Sequence, residues 1–262
     1  MNHTPLSHTP VSHPPVSTST ASPFRICAAR LLAAIALVFP LAAACADEPP
    51  RDYSPAERAL FMTDQFAKLR PPTTLRYRYQ RSGTLSPAFV DQVSIALKPQ
   101  ASSGRCCDAS GEFLSGERRV ELPPVEGASG NPVTLFFLER DVREMQRLTT
   151  GKSAYFRKRI RMAIYQGAQQ RAVTLNYRGK NIAGQEYAIT PYVDDPNRAR
   201  FEQLANKRYV FLLSDAVPGG VYGIRVRAVD PAAKTADAPP LLDEELLIDG
   251  AAGSPAPAKT GS

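Results

Sequence analysis

Two stretches of alternating apolar and polar residues constrain the fold of this chain more than any other feature. Leu75, Tyr77 and Tyr79 alternate with Arg76, Arg78 and Gln80, and Val93, Ile95 and Leu97 alternate with Gln92, Ser94 and Ala96. Because successive side chains of a strand point to opposite faces of its sheet, this pattern predicts strands with one buried and one solvated face. Strands of this kind are typical of antiparallel sheets.

A helix is predicted immediately before the first strand. Ser54, Pro55 and Glu57 have the spacing of a capping box with proline at the first helical position. The helix is expected to continue to about Leu69, because prolines follow at positions 71 and 72.

Two more helices are predicted in the middle of the chain. Asn131 and Pro132 predict the start of the first, which should end near residues 150–151, and Ser153 is expected to cap the second, which ends at Gly167. Apolar residues three or four apart predict the buried stripe of the first helix: Leu135, Leu138, Val142, Met145 and Leu148.

The remaining pattern predicts short strands joined by turns. They are expected within 111–122 with a turn at Gly116, at 173–177, 187–189, 208–214 and 221–229, and at 242–248 as a last edge strand, with a short helix over 195–206. Hairpin-length connections favour a single antiparallel sheet with the helices on one face. The predicted fold class is therefore α+β, with one curved, half-barrel-like sheet in a single domain over residues 54–249.

An export signal is predicted near the amino terminus. Residues 25–46 combine two arginines, an apolar run from Leu31 to Leu41 and a final stretch of small residues suited to cleavage, as secretory signal peptides do. Two processing sites fit. Cleavage between Ala46 and Asp47 would release a soluble chain, whereas lipidation at Cys45 would leave a membrane-anchored lipoprotein. Either product would be periplasmic or otherwise extracytoplasmic.

The segments on either side of the predicted domain have the composition of disordered chain. Residues 1–24 are rich in Pro, Ser and Thr and contain a five-residue repeat, and residues 250–262 are rich in Pro, Ala, Gly and Ser. Residues 47–53 are interpreted as a linker between the signal and the domain.

Histidine is absent from the chain after the predicted cleavage. All three histidines precede it, at positions 3, 8 and 13. Ser-His-Asp and Cys-His catalysis and His-based zinc or haem sites are therefore excluded from the mature chain. No catalytic motif and no cofactor site is found, so a non-enzymatic protein is expected. Loss of Arg25 and Arg30 with the signal lowers the formal net charge from +7 to +5.

Cys106 and Cys107 are the two cysteines that follow the signal segment. They lie in a turn-rich sequence from Gly104 to Gly111 that is expected to form an exposed loop. In an oxidising compartment the two residues are candidates for a disulfide.

Two acidic pairs, Asp194–Asp195 and Glu244–Glu245, are interpreted as solvated charge. The second pair lies in a predicted strand, where neighbouring side chains point to opposite faces.

The most unusual surface feature is basic. From Met145 to Gln185 the chain holds nine basic residues and no acidic one. A helical projection of the second central helix places Arg157, Lys158 and Arg161 opposite its apolar side. Such a face can contact an anionic envelope surface, and export makes nucleic acid a poor partner. The alternative interpretation is a solvated face whose counter-charges lie elsewhere in the fold.

The order of these elements resembles the periplasmic lipoprotein-carrier superfamily, the LolA/LolB-like proteins and related exported bacterial proteins. The resemblance rests on the initial helix, aromatic-rich strands such as Thr74–Tyr79, and the helices inserted midway. It implies an open half-barrel whose concave face holds acyl chains, and it identifies no site residue. It favours a binder or carrier of an apolar or amphiphilic ligand; an envelope structural or assembly factor acting through the basic helix is the alternative.

Overall fold

The computed structural model describes residues 52–100, 106–121, 123–233, 235 and 238–252. The strands are β1 Thr73–Ser82, β2 Phe89–Pro99, β3 Cys106–Phe113, β4 Val120–Glu121, β5 Gln169–Tyr177, β6 Lys180–Ile189, β7 Arg208–Leu213, β8 Val221–Ala228 and β9 Leu242–Ile248. The helices are α1 Pro55–Glu57, which continues as a π-helical turn over Arg58–Met62, α2 Val133–Thr149 and α3 Ser153–Gly167. Single 3₁₀ turns span Gly116–Arg118, Arg198–Arg200 and Glu202–Leu204.

All the strands belong to one open antiparallel sheet, in the order β4-β3-β2-β1-β9-β8-β7-β6-β5. β9 pairs with β1 on one side and with β8 on the other, so it joins the two halves of the sheet. The prediction of an edge strand over residues 242–248 is therefore wrong. Two neighbouring glutamates in this strand suggest an exposed edge, because charged residues are common on edge strands. In the structure Glu244 is fully buried, and only Glu245 lies on the outer face.

The helices pack on the inner face of this sheet. On that face Tyr79 is fully buried, and its ring lies 6.4 Å from the ring of Phe137 in α2. From α3, Phe156 packs against Tyr192 and Phe201 in edge-to-face contacts. The α+β class with a single curved, open sheet and helices on one face is confirmed.

The first helix begins as predicted but ends early. The hydroxyl of Ser54 accepts from the backbone N–H of Glu57 at 3.2 Å, and the Glu57 carboxylate accepts from the N–H of Ser54 at 2.9 Å. The helical turn ends at Met62, because Thr63 donates both its N–H and its hydroxyl to the carbonyl of Arg58. The predicted extension to Leu69 is wrong, since the backbone is extended at Thr63 and the N–H groups of Gln65 and Phe66 donate to the carbonyl of Ser129.

The two central helices lie where the sequence predicts them. The side-chain carbonyl of Asn131 accepts from the N–H of Val133 at 3.1 Å and so caps the start of α2. Ser153 does not cap α3, because it is the first helical residue and its hydroxyl bonds to the Gln146 side chain. The predicted stripe of α2 is wrong at Leu135, whose side chain is 55% exposed.

The turn-rich sequence around the cysteines forms a strand instead of an exposed loop. From Cys106 to Phe113 it pairs with β2, and a 3₁₀ turn then leads to β4. Cys107 is fully buried on the inner face, and the structure joins it to Cys106 by a disulfide. The prediction of an exposed loop fails because the small residues of this strand let it pack closely against β2. A Cβ on Gly111 would lie only 2.8 Å from the Ile95 side chain.

Two smaller differences and one confirmed prediction concern the second half of the chain. The helix expected over residues 195–206 is two 3₁₀ turns, which begin after Asp195. Ala251 bridges to Tyr177, so the folded unit extends past residue 249. The predicted hairpin of β7 and β8 is present.

The predicted signal peptide, its cleavage site at Ala46–Asp47 and the lipidation candidate Cys45 lie outside the described residues. The same is true of the extension over 1–24 and of residues 253–262. Within the part of the chain that the structure describes, no helix has the length and hydropathy needed to cross a membrane.

Candidate functional site

A groove of about 450 Å³ lies between α2 and α3. The floor is apolar, because Leu138 and Val142 of α2 face Ile160 and Ile164 of α3. These residues are three or four positions apart, so each helix presents one stripe to the groove. The groove lies on the helical layer and not under the curved sheet, whose inner face is filled by the helices.

Large apolar side chains remain exposed along the walls of this groove. Leu135 at the start of α2 is 55% exposed, and Phe61 from the π-helical turn is 36% exposed. Val120 of β4 and Pro123 add further apolar surface. A contiguous apolar concavity open to solvent is the usual form of a ligand-binding site in proteins.

Arginines form the rim of the groove. The Arg157 guanidinium makes two hydrogen bonds to the Glu139 carboxylate, at 2.7 and 3.1 Å, and so bridges the two helices. Arg143 and Arg161 also line the groove, and neither forms an ion pair with any residue that the structure describes. The rim therefore carries positive charge that the described part of the fold does not neutralise.

The three residues predicted to contact an anionic surface do not all lie at the groove. Of its three residues, Arg157 and Arg161 reach the groove, whereas Lys158 is exposed and lies outside its lining. Projection of α3 at 100° per residue was enough to identify the two arginines.

No protein-family model and no curated protein matches this sequence. The site is therefore interpreted from its geometry and chemistry.

Counter-charges from other parts of the chain neutralise four of the nine residues in the basic run. The ion pairs are Arg147–Glu144, Arg157–Glu139, Arg159–Asp195 and Arg171–Glu186. These four basic residues therefore fit the alternative interpretation, in which the basic run is neutralised by counter-charges elsewhere in the fold. Arg161 does not fit it, because it has no ion-pair partner among the described residues.

A buried ionic network fixes α2 on the sheet and so positions one wall of the groove. Both terminal nitrogens of Arg140 donate to one oxygen of Glu244, at 3.0 and 3.1 Å. Arg81 of β1 donates to Glu144 of α2 at 2.8 Å. Burial acts to raise the pKa of Glu244, but the charges of Arg140, Lys207 and Arg81 outweigh it and lower that pKa.

The two acidic pairs do not bring carboxylates together. Glu244 lies in the buried network, whereas Glu245 pairs with Arg225 at 2.7 Å on the outer face. Asp195 is buried and forms an ion pair with Arg159 at 2.9 Å, and Asp194 is exposed. The interpretation of both pairs as solvated charge is wrong for Glu244 and Asp195, because arginines compensate their burial.

Sequence patterns missed several groove residues. Arg143 lies one helical turn after Glu139 on the same face of α2, so a helical projection of that helix would have found it. Phe61 and Val120 come from distant segments, and no local pattern connects them to the central helices.

Proposed function

We propose that this protein binds an amphiphilic molecule, whose apolar part lies in the groove between α2 and α3. The observation that carries the proposal is an apolar groove whose rim holds Arg143 and Arg161, neither of which has a carboxylate partner among the described residues. An apolar floor beneath unpaired cations matches a ligand with a hydrocarbon part and an anionic end. The groove volume of about 450 Å³ falls in the range of roughly 300–1,000 Å³ that is usual for small-molecule sites.

This function would operate in the bacterial envelope, where the signal predicted over residues 25–46 would deliver the chain. Acyl-bearing amphiphiles are abundant there, and water makes their transfer costly without a carrier. The resemblance to lipoprotein carriers supports the same ligand class. In this chain, however, the groove is formed by helices and does not lie under the concave face of the sheet.

The alternative, an assembly factor that acts through the basic face of α3, has less support. Arg157 is held by Glu139 across the groove, so part of that face is neutralised. Lys158 lies outside the groove lining, so Lys158 and Arg161 are the two charges of that face that no described carboxylate pairs with.

Binding of a fluorescent fatty acid tests the proposed function. The probe is 11-(dansylamino)undecanoic acid, whose emission rises when its dansyl group leaves water. The double variant Phe61→Gln/Leu135→Gln replaces two exposed apolar side chains in the walls of the groove by polar ones and adds no charge. It should weaken binding by roughly tenfold or more, because each side chain loses apolar contact with the ligand.

The matched control is Val90→Gln/Val229→Gln, which removes two exposed apolar side chains outside the groove. This control should bind the probe as the parent chain does. Equal weakening in both double variants, or no saturable binding by the parent chain, would count against the groove as the site.

A further inference from the structure

A second cleft, of about 440 Å³, adjoins the groove and is rich in arginine. Five arginines line it together with a single carboxylate, that of Glu144: Arg81, Arg118, Arg140, Arg143 and Arg147. Few surface clefts gather so many guanidinium groups, because like charges repel unless an anion neutralises them.

The structure holds the deepest of these arginines in place. Arg81 and Arg140 are buried and tied to Glu244 and Glu144. Arg147 donates to both oxygens of Glu144, at 2.9 and 2.8 Å. The hydrogen bonds of this network lock the guanidinium planes, so the floor of the cleft is organised before any ligand arrives.

Two arginines of the cleft have no ion-pair partner among the described residues. The guanidinium of Arg118 lies over the ring of Phe89, 4.4 Å from its centroid, and that of Arg143 forms no ion pair. The cleft therefore has unused hydrogen-bond donors and excess positive charge at its mouth. Both properties favour a multiply charged anion with several oxygens.

The arginine cleft and the apolar groove adjoin each other. Val120 and Arg143 line both of them, so one molecule can extend from one into the other. An extended ligand that follows this path would place its apolar part against the α2–α3 seam and its charged group among the arginines.

We propose that the arginine cleft binds the phosphate group of the amphiphile whose apolar part occupies the groove. This inference rests on the proposed function and assigns its ligand to phosphate-bearing lipids. Guanidinium groups bind phosphate with parallel hydrogen bonds to two oxygens, and several of them can share one phosphate. A carboxylate offers two oxygens and one charge to Arg118 and Arg143, whereas a phosphate monoester offers them three oxygens and up to two charges.

Isothermal titration calorimetry with four probes tests the assignment. The probes are n-decyl phosphate, n-decanoate, n-decyl maltoside and inorganic phosphate, each kept below its micelle concentration. The parent chain should bind decyl phosphate at least about tenfold more tightly than decanoate or the maltoside, as expected for additional charge-assisted hydrogen bonds. Inorganic phosphate alone should bind more weakly than decyl phosphate, since it lacks the apolar part.

The double variant Arg118→Gln/Arg143→Gln should lose the preference for decyl phosphate and keep the affinity for decyl maltoside. Its control, Lys152→Gln/Lys158→Gln, removes the same charge from exposed residues outside both linings and should keep the preference.

The outcomes separate the two proposals. Equal affinity for decyl phosphate and decanoate, or an unchanged preference in the arginine variant, would overturn the phosphate site while the groove proposal stands. Equal affinity for inorganic phosphate and decyl phosphate would overturn the lipid as the source of the phosphate. Failure of all three decyl probes to bind the parent chain would overturn both proposals.

Discussion

The side chain of Lys207 is fully buried, and its ammonium group bonds to the equally buried carboxylate of Asp141 in α2. The hydroxyl of Tyr209 donates to the second oxygen of that carboxylate at 2.6 Å. Burial, followed by the charge of Asp141, raises the pKa of Tyr209 well above its usual value, so this hydroxyl remains a donor. The pair anchors the segment before β7 to the middle of α2.

Replacement of Lys207 by Met should lower the free energy of unfolding by about 3–5 kcal/mol, because Asp141 would remain buried without a counter-charge. Urea unfolding followed by circular dichroism measures the change. The double variant Lys207→Met/Asp141→Asn should recover most of the loss, since the amide oxygen can still accept from Tyr209. A double variant no more stable than the single one would show that the charge on Asp141 is not the cause.

At the scale of the element, α2 depends on one residue that precedes it. The Asn131 amide donates to the hydroxyl of Tyr77 at 2.7 Å and to the carbonyl of Gly219 at 3.0 Å, while its oxygen caps the helix. Asn131 is thus bonded to β1, to the loop before β8 and to α2. All three bonds are buried or nearly so.

Asn131→Ala should destabilise the protein by about 2–4 kcal/mol, because it removes a helix cap and leaves the Gly219 carbonyl without this donor in a buried site. Thermal and urea unfolding measure the effect. Asn197→Ala is the comparison, since the Asn197 side chain is exposed and makes one hydrogen bond within the described part of the chain, to Tyr155. A similar small loss in both variants would contradict the central role of Asn131.

The sequence predicts most elements of this fold because their signals are local. The alternation of apolar and polar residues predicts β1 and β2, and the spacing of apolar residues by three or four positions predicts α2 and α3. The position of β9 has no local signal, because it depends on pairing with β1 at the opposite end of the domain. The path of the chain after the early end of the first helix depends likewise on hydrogen bonds from Gln65 and Phe66 to Ser129, far along the chain.

The same holds for the candidate site: local patterns identify some of its residues, and the others come together only in the folded structure. Arg157 and Arg161 follow from one helical projection, whereas the arginine cleft combines Arg81 of β1, Arg118 of a 3₁₀ turn and three residues of α2. These segments come together only through the order of the sheet and the packing of α2 on it. A single sequence contains no pattern that links them, so the cleft could not be predicted before the structure.

At the scale of the whole molecule, ion pairs between α2 and the sheet make stability depend on pH. The hydrogen bonds from Arg147, together with those from Arg81, lower the pKa of Glu144 to about 2. In the unfolded chain a glutamate titrates near about 4.3. Because the folded pKa is the lower one, Glu144 contributes its full stabilisation above about pH 4.3 and loses it as the pH falls through about 2.

The variant Glu144→Gln isolates this contribution, because its amide does not titrate. Between about pH 6 and about pH 3 the parent chain should lose about 1–2 kcal/mol more free energy of unfolding than the variant, a figure reduced for the partial solvent exposure of the site. Urea unfolding at the two pH values measures the difference. Other carboxylates titrate equally in both proteins and cancel. Parallel losses in the two proteins would mean that the ion pairs with Arg147 and Arg81 do not lower the pKa of Glu144.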